Sequence, residues 1–236
     1  MLAITKMPNF GFGNKLLYYF NLRQASHQLN CHFHCCEFEG IELFQGPMQG
    51  SDLSGEFSEL KLCLGEKFFT ENPLNTREIF KIKAKNESQT KKCAIHFRGT
   101  DFHHWNPQSI LSTKYYIASI EEVENEVDVF TLFTDDQDLE SFKKTCDFLK
   151  LEGKEVRFGE NTNNRNQFEK DFLEMCNSEV IISSPSTFCI CAGMIGKEKQ
   201  IIHSSAWINS RVEKNDTFWV KLSEGGNQNY KLWKTF

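Results

Sequence analysis

The residue best suited to chemistry is an arginine that directly follows a short apolar segment. Arg98 lies two residues after His96 and three before Asp101, in the sequence HFRGTD. A guanidinium donates two parallel hydrogen bonds to a phosphate and keeps its charge at any physiological pH. We therefore interpret Arg98 as a candidate phosphate ligand. A structural ion pair between Arg98 and Asp101 is the alternative that the spacing leaves open.

A hydroxyl-rich segment could lie opposite this arginine. Residues 183–187, SSPST, stand between an apolar run and a predicted helix. Hydroxyls and backbone N–H groups at the start of a helix form an anion site. Together with Arg98 they would hold a diphosphate without a metal. The same segment could equally serve only to cap the helix.

Two other segments raise the question of a metal. Asp135 and Asp136 directly follow the apolar run VFTLFT, where they could also cap the next helix. The sequence HFHCC at residues 32–36 contains two histidines and two cysteines. Adjacent cysteines do not have the spacing of a structural zinc site. We therefore predict no metal site in either segment.

A glycine-rich turn stands near the start of the chain. Gly11, Gly13 and Asn14 separate the apolar residues 2–5 from the sequence KLLYYF. This pattern predicts a strand, a turn and a helix, with Asn14 able to cap the helix. The turn lacks the third glycine of a dinucleotide-binding fingerprint and the Gly-Lys-Ser/Thr of a P-loop. An ordinary strand-to-helix turn is therefore the alternative interpretation.

The elements that must position these residues alternate regularly in the second half of the chain. Short apolar runs alternate with helical patterns, such as Phe142, Cys146 and Leu149 at i, i+4 and i+7. This alternation predicts an α/β fold, with a parallel sheet and helices on both of its faces. Ligands of such sheets bind at the carboxyl ends of the strands, where the polar segments fall. The predicted strands are 93–97, 129–133, 154–158, 180–182 and 200–202, and the predicted helices are 113–126, the segment around 142–149, 168–176 and 187–196.

Composition limits the class of protein. The chain has 236 residues, of which 39% are hydrophobic and 25% are charged, so it can form one large domain or two small ones. The polar segment 84–92 predicts a boundary, with a small domain at 1–88 and a larger one at 89–236. The net charge of -5 argues against a partner that is a nucleic acid polymer.

Cysteine content and hydropathy bear on location. The nine cysteines are an odd number, and several lie in apolar runs, where a reduced cysteine behaves as a small hydrophobic residue. No apolar stretch approaches the roughly 18 residues of a membrane-spanning helix, and no secretion signal is recognisable. We therefore expect a cytoplasmic protein without a transmembrane segment.

These motifs together resemble the fucosyltransferase superfamily, which includes bacterial α-1,2-fucosyltransferases, α-1,6-fucosyltransferases and protein O-fucosyltransferases. Two positions depart from the α-1,2 group: Gly99 stands where a second arginine usually follows the first, and Ile190-Cys191 replaces an aromatic pair. The matched motifs, in the family's order, are G-x-G-N at Gly11–Asn14, H-x-R-x-x-D at His96–Asp101, a segment resembling S-D-D at Thr134–Asp136, and an aspartate in a helix, Asp171, followed by a strand and the S-T-F turn Ser186–Phe188.

The resemblance implies a metal-independent, inverting glycosyltransferase with a GT-B-like architecture of two facing Rossmann-like domains. It implies a GDP-sugar donor, with GDP-fucose expected, a glycan acceptor and no cofactor. Arg98 would bind the β-phosphate and steady the leaving group, and Asn14 would reach toward the reacting centre from the smaller domain. The implied binding residues are His96 and Asp171 at the guanine, Ser186 and Thr187 at the phosphates, Asp101 as a brace of its motif, and Gly11, Gly13, Asp135, Asp136, Ser184 and Phe188 within the matched motifs.

Two other functions remain open. The chain could use another nucleotide sugar on the same scaffold, or it could bind a nucleotide sugar without turnover. The presence of both Arg98 and Asn14 favours an enzyme. The residue that takes the proton of the acceptor hydroxyl belongs to no motif, and Asn14 is excluded because an amide has no suitable pKa. The candidates are Glu37, Glu39, Glu42, Asp101 and His103.

Overall fold

The computed structural model describes residues 1–46, 48–53, 55–60, 76–83, 90–105, 107–160, 168–196, 200–204 and 232–235, which form two parallel β-sheets with helices packed against them. The strands are β1 (Leu2–Ile4), β2 (Phe33–Cys35), β3 (Ser58–Glu59), β4 (Lys92–Phe97), β5 (Val129–Thr134), β6 (Glu155–Phe158), β7 (Val180–Ser183), β8 (Gln200–His203) and β9 (Leu232–Thr235). The helices are α1 (Phe12–Gln28), α2 (Thr76–Ile79), α3 (Phe102–Trp105), α4 (Thr113–Val123), α5 (Glu140–Leu151), α6 (Phe168–Asn177) and α7 (Thr187–Ile195).

The larger sheet has six strands in the order β6-β5-β4-β7-β8-β9, and every neighbouring pair is parallel. The chain enters it in the middle at β4, moves to one edge through β5 and β6, and returns to β7 to build the other side. This is the strand order of the doubly wound, Rossmann-like fold, in which ligands bind where the order reverses. That point lies here between the carboxyl ends of β4 and β7.

Both faces of the larger sheet are buried, which explains why its strands are continuously apolar. Cys93, Ile95 and Phe97 of β4 belong to a core that also contains side chains of α4 and α5. Ala94, on the opposite face, belongs to a core that contains side chains of α6 and α7. The predicted α/β class, with a parallel sheet and helices on both faces, is therefore confirmed.

The smaller sheet has the order β2-β1-β3 and is also parallel. Helix α1 packs against β1 and β2 and, independently, against α7. Leu16, Tyr19 and Phe20 of α1 therefore lie in the same apolar core as α6 and α7. The described residues of both halves of the chain thus share one core. The boundary predicted at 88/89 falls at 84–89, outside the described residues.

The structure differs from the sequence prediction mainly at short elements. Strands β4–β8 and helices α4–α7 lie within a few residues of their predicted positions. The prediction missed α2, α3, β3 and β9, which are four residues long or shorter. The prediction that Asn14 caps α1 is wrong, because Gly11 is the N-cap and Asn14 lies within the first turn.

Three further observations concern the described residues as a whole. The eight cysteines among them are all free thiols. Within the part of the chain that the structure describes, none of the helices combines the length and the apolarity needed to span a bilayer. No three histidine, cysteine or carboxylate side chains in that part are grouped so that they could hold a metal ion, and this includes the HFHCC segment.

Candidate functional site

The carboxyl ends of β4 and β7 are joined by a hydrogen bond between side chains. His96 Nδ1 lies 2.6 Å from Ser184 Oγ, and both residues are buried. Burial lowers the pKa of His96 to about 4, with a smaller opposing effect from Asp135, so the imidazole is neutral at physiological pH. The backbone oxygen of His96 also accepts a hydrogen bond of 3.2 Å from Tyr116 Oη. His96 is therefore a fixed, uncharged group at the point where the strand order reverses.

Arg98 follows β4 and is held by two carboxylates. Its Nη2 lies 2.9 Å from Asp101 Oδ1, and its Nη1 lies 2.7 Å from Asp135 Oδ2. The guanidinium carbon lies 5.7 Å from the centre of the Phe102 ring. The ion pair that the sequence left open is thus present, and a second carboxylate joins it. The two carboxylates therefore orient the guanidinium of Arg98, the predicted phosphate ligand, and also offset its positive charge.

Asp135 fixes the loop that carries this arginine. Its Oδ1 accepts a hydrogen bond of 2.8 Å from the Gly99 amide, and its Oδ2 accepts one of 2.8 Å from Thr100 Oγ1. These contacts form because β4 and β5 are paired in register up to Phe97 and Thr134, so the two loops begin side by side. Asp135 therefore organises the arginine loop from the neighbouring strand.

Asp136 makes a separate set of contacts. Its Oδ2 lies 3.0 Å from His103 Nε2, and its Oδ1 accepts a hydrogen bond of 3.0 Å from the Asp138 amide. The N-cap of α5 is Leu139, which makes no side-chain capping bond. The alternative that the two aspartates cap this helix is therefore wrong.

The start of α7 follows β7 at the same end of the larger sheet. Ser186 is its N-cap, and Ser186 Oγ accepts a hydrogen bond of 3.3 Å from the Phe188 amide. The Ser186 amide in turn donates to the Ser184 oxygen at 2.7 Å. The predicted capping role is thus present, and the first turn of α7 contains no acidic residue. Its positive end is therefore not neutralised by a side chain of that turn.

The first turn of α1 lies directly on the first turn of α7. A methyl group added at Gly13 would lie 2.5 Å from the Phe188 nitrogen and 2.5 Å from the Thr187 carbonyl carbon. The N-cap Gly11 makes no side-chain capping bond, and the first turn of α1 contains no acidic residue. The N–H groups of a helix's first turn have no acceptor within the helix. Two helix N-termini therefore meet here, and both favour an anion.

Phe188 of α7 lies between this contact and the end of β4, the strand that precedes Arg98. Its ring centre lies 6.0 Å from that of His96 and 6.4 Å from that of Phe12. The start of α1, the start of α7 and the end of β4 are therefore adjacent. Of the predicted site residues, these contacts join Gly13, His96, Ser184, Ser186, Thr187 and Phe188, and Gly11 and Asn14 lie within two residues of Gly13 in the chain. The loops that follow β4 and β5 bring together Arg98, Asp101, Asp135 and Asp136.

Asp171 lies beside the end of β6, in the first turn of α6. Its Oδ1 accepts a hydrogen bond of 3.0 Å from the Glu160 amide. Gly159 permits this approach, because a methyl group there would lie 2.9 Å from the same oxygen. Burial raises the pKa of Asp171 to about 6. The carboxyl group therefore changes charge just below physiological pH.

The sequence analysis missed how two of these residues act. Thr100 was not singled out, and the partnership of His103 with Asp136 was not foreseen. Gly99 is the sequence feature that reflects the contact of His103 with Asp136. A methyl group at position 99 would lie 2.7 Å from Asp136 Cβ and 2.8 Å from its Oδ2. A side chain larger than glycine would displace the carboxyl group that contacts His103.

Comparison with known proteins adds no name to this arrangement. A scan against known protein families finds no match to the sequence. A search of the curated proteins finds no match either. The function is therefore inferred from the site itself.

Proposed function

We propose that the chain is an inverting glycosyltransferase that moves a sugar from a nucleoside diphosphate, with GDP-fucose as the expected donor, to a glycan acceptor. One observation carries the proposal: the uncapped start of α1 and the start of α7 meet where the strand order reverses, and the Phe188 ring of α7 lies 6.0 Å from that of His96, two residues before Arg98. Backbone N–H groups and a guanidinium are suited to a diphosphate, which is the leaving group of such donors.

The diphosphate would lie between the helix N-termini and Arg98. Two of the five N–H groups of that guanidinium point to Asp101 and Asp135, so others remain for a phosphate oxygen. The Asp101 side chain is 50% exposed, whereas that of Asp135 is 25% exposed and is held by the Gly99 amide. Asp101 is therefore the carboxylate that donor binding would displace, and Asp135 the one that keeps the loop in place.

The guanine of the donor would contact two polar groups, one neutral and one charged. The neutral imidazole of His96 offers a nitrogen to the purine edge. Asp171, when ionised, accepts hydrogen bonds from the N1 and N2 groups of guanine, which are donors. A pyrimidine presents a different pattern of donors and acceptors. This pairing favours a guanine nucleotide.

In the proposed reaction, an acceptor oxygen attacks the anomeric carbon while the bond from that carbon to the diphosphate breaks. Arg98 and the two helix N-termini would stabilise the charge that develops on the leaving diphosphate, and this is where electrostatic catalysis acts. Asn14, in the first turn of α1, would hydrogen-bond a reacting oxygen. The smaller sheet with α1 would form the acceptor side of a GT-B-like arrangement, and no divalent cation is needed.

The test is a thermal-shift comparison of GDP, GDP-fucose, GDP-mannose, UDP and TDP. A ligand at 100 times its Kd adds about 2.7 kcal/mol to the free energy of unfolding. For a chain of this size we expect GDP and GDP-fucose to raise Tm by about 5–11 °C, and UDP and TDP to raise it much less. Stabilisation by UDP alone would indicate a UDP-sugar donor in place of GDP-fucose. Binding of GDP-fucose without release of GDP would indicate a binding protein instead of an enzyme.

Donor affinity should depend on pH through Asp171. Because the pKa of this carboxyl group is raised to about 6, it is ionised at about pH 7 and largely protonated at about pH 5. We expect calorimetry to give roughly tenfold weaker binding of GDP-fucose at the lower pH. The D171N variant should bind more weakly and show no such dependence. GDP-fucose is used because the terminal phosphate of GDP itself titrates near pH 6. An unchanged pH dependence in D171N would show that Asp171 does not bind the guanine.

A further inference from the structure

The contact between His103 and Asp136 has the geometry of an oriented histidine. The Nε2 atom of His103 lies 3.0 Å from Asp136 Oδ2. An ionised carboxylate can only accept a hydrogen bond, so Nε2 carries the hydrogen and Nδ1 carries the lone pair. The His103 side chain is 49% exposed, whereas that of Asp136 is 20% exposed. A substrate can therefore reach the imidazole while its orienting partner is sheltered.

Asp136 is held rigidly enough to act as that partner. Its amide donates to Thr134 Oγ1 at 3.0 Å, and Thr134 Oγ1 donates to its backbone oxygen at 2.9 Å. Its other carboxylate oxygen accepts from the Asp138 amide at 3.0 Å. The carboxyl group thus has a fixed position on the end of β5. A histidine bound to it is fixed in both ring orientation and tautomer.

Gly99 is an independent observation that points to the same pair. The space that a side chain at this position would occupy is filled by the Asp136 carboxyl group. A side chain at position 99 could not be placed here without displacing that group from His103. The contact of His103 with Asp136 therefore depends on the glycine.

The histidine also lies on the same loop as the proposed leaving-group residue. Its amide donates to the Gly99 oxygen at 3.2 Å, and Phe102, the residue before it, lies under the guanidinium of Arg98. The other four candidate bases have polar partners that do not orient them as Asp136 orients His103. Glu42 shares a hydrogen bond with Glu169. Asp101 is paired with Arg98 at 2.9 Å, Glu39 lies 3.7 Å from Lys15 Nζ, and Glu37 accepts from Gln49 at 2.7 Å.

We propose that His103 is the general base of the reaction and that Asp136 is its positioning residue; this rests on the proposed function. The Nδ1 atom takes the proton of the attacking hydroxyl as the oxygen forms its bond to the anomeric carbon. The bond between that carbon and the diphosphate breaks at the same time, and its electron pair leaves with the nucleotide. The imidazolium then returns its proton to solvent, so the step needs no other reactant.

The charged groups around His103 enter the interpretation of any pH profile. On its own loop these are Arg98 and Asp101, and from the end of β5 they are Asp135 and Asp136. The pH profile of kcat should be measured at a saturating concentration of the donor, so that the ionisation of Asp171 does not contribute.

The experiment measures GDP release from GDP-fucose with water as the acceptor, since this needs no knowledge of the glycan. In the wild-type protein, kcat should increase with pH, because a general base accepts a proton only in its unprotonated form. The H103Q variant should lose this increase and fall by about 100-fold in kcat, with GDP affinity within about threefold. The H104Q variant, changed at the exposed neighbour on the same helix, should behave as the wild type.

Two further variants separate catalysis from folding. Added imidazole should restore part of the rate to H103A, which a merely structural role would not allow. The D136N variant should retain more activity than H103Q but less than the wild type, with a changed pH profile of kcat, because the imidazole has lost the carboxylate that orients it. An H103Q variant that keeps both the rate and the pH profile would overturn this proposal and leave the proposed function standing. A wild-type protein that neither binds nor cleaves GDP-fucose would overturn both.

Discussion

Replacing Arg98 with lysine is expected to lower the rate of GDP release from GDP-fucose by about 100-fold or more. A lysine keeps the positive charge but has a single ammonium group in place of the planar fork. In the native protein that fork spans Asp101 and Asp135, with contacts of 2.9 and 2.7 Å. The variant would therefore lose both the proposed bidentate contact with the diphosphate and the orientation that the two carboxylates provide.

The control is an arginine of the same sheet that has no place in the proposed site. Arg157 on β6 is paired with Glu155 at 2.6 Å, and its side chain is 50% exposed. An R157K variant should keep its rate and its Tm, because an exposed ion pair contributes about 0–1 kcal/mol. An R98K variant that folds normally and turns over within threefold of the wild type would show that Arg98 does not stabilise the leaving group.

Replacing Gly13 with alanine is expected to destabilise the protein by about 1–3 kcal/mol, which lowers Tm by about 2–12 °C. The added methyl group would lie 2.5 Å from two backbone atoms at the start of α7, whereas carbon atoms prefer separations of about 3.5–4.0 Å. Because backbone cannot rotate aside, α1 must shift away from α7. The gain of about 1 kcal/mol that alanine brings inside a helix is smaller than this cost.

A matched change two residues earlier tests whether the contact is responsible. At Gly11 an added methyl group meets nothing within 4 Å, and the backbone φ of -61° suits any residue. The G11A variant should therefore change the free energy of unfolding by less than about 1 kcal/mol, through its effect on the N-cap. Equal thermal denaturation midpoints for G11A and G13A would contradict the contact between α1 and α7.

The sequence could predict the larger sheet because each of its central strands is a short apolar run between polar turns. It could not predict β3, whose two residues are both exposed and carry no apolar pattern. Nor could it predict that Arg98 contacts Asp135, since these residues meet only through the pairing of β4 with β5. Each predicted site residue is identified from its own local motif. Their convergence depends on tertiary contacts that local sequence does not contain.

The same limit applies to the charge around the candidate site. From the sequence, Arg98 was interpreted as a phosphate ligand or as the partner of Asp101, and the structure places it between two carboxylates. The three aspartates and the arginine come from two loops that are more than 30 residues apart in the chain. A pattern of single motifs cannot give the sum of their charges. The exposure and hydrogen-bond partners of Asp101 and Asp135, from which the displaced carboxylate is inferred, are likewise set by the tertiary structure.

The contact of α1 with α7 also has a consequence for how the chain folds. The smaller sheet has strands of three, three and two residues, which is too few hydrogen bonds to hold a sheet by itself. Its stability must come from the apolar core that α1 shares with α6 and α7. The Rossmann-like half would therefore form first and act as a template on which α1 and the smaller sheet assemble. On this design, α1 and the smaller sheet keep their structure only while the larger half is folded beneath them.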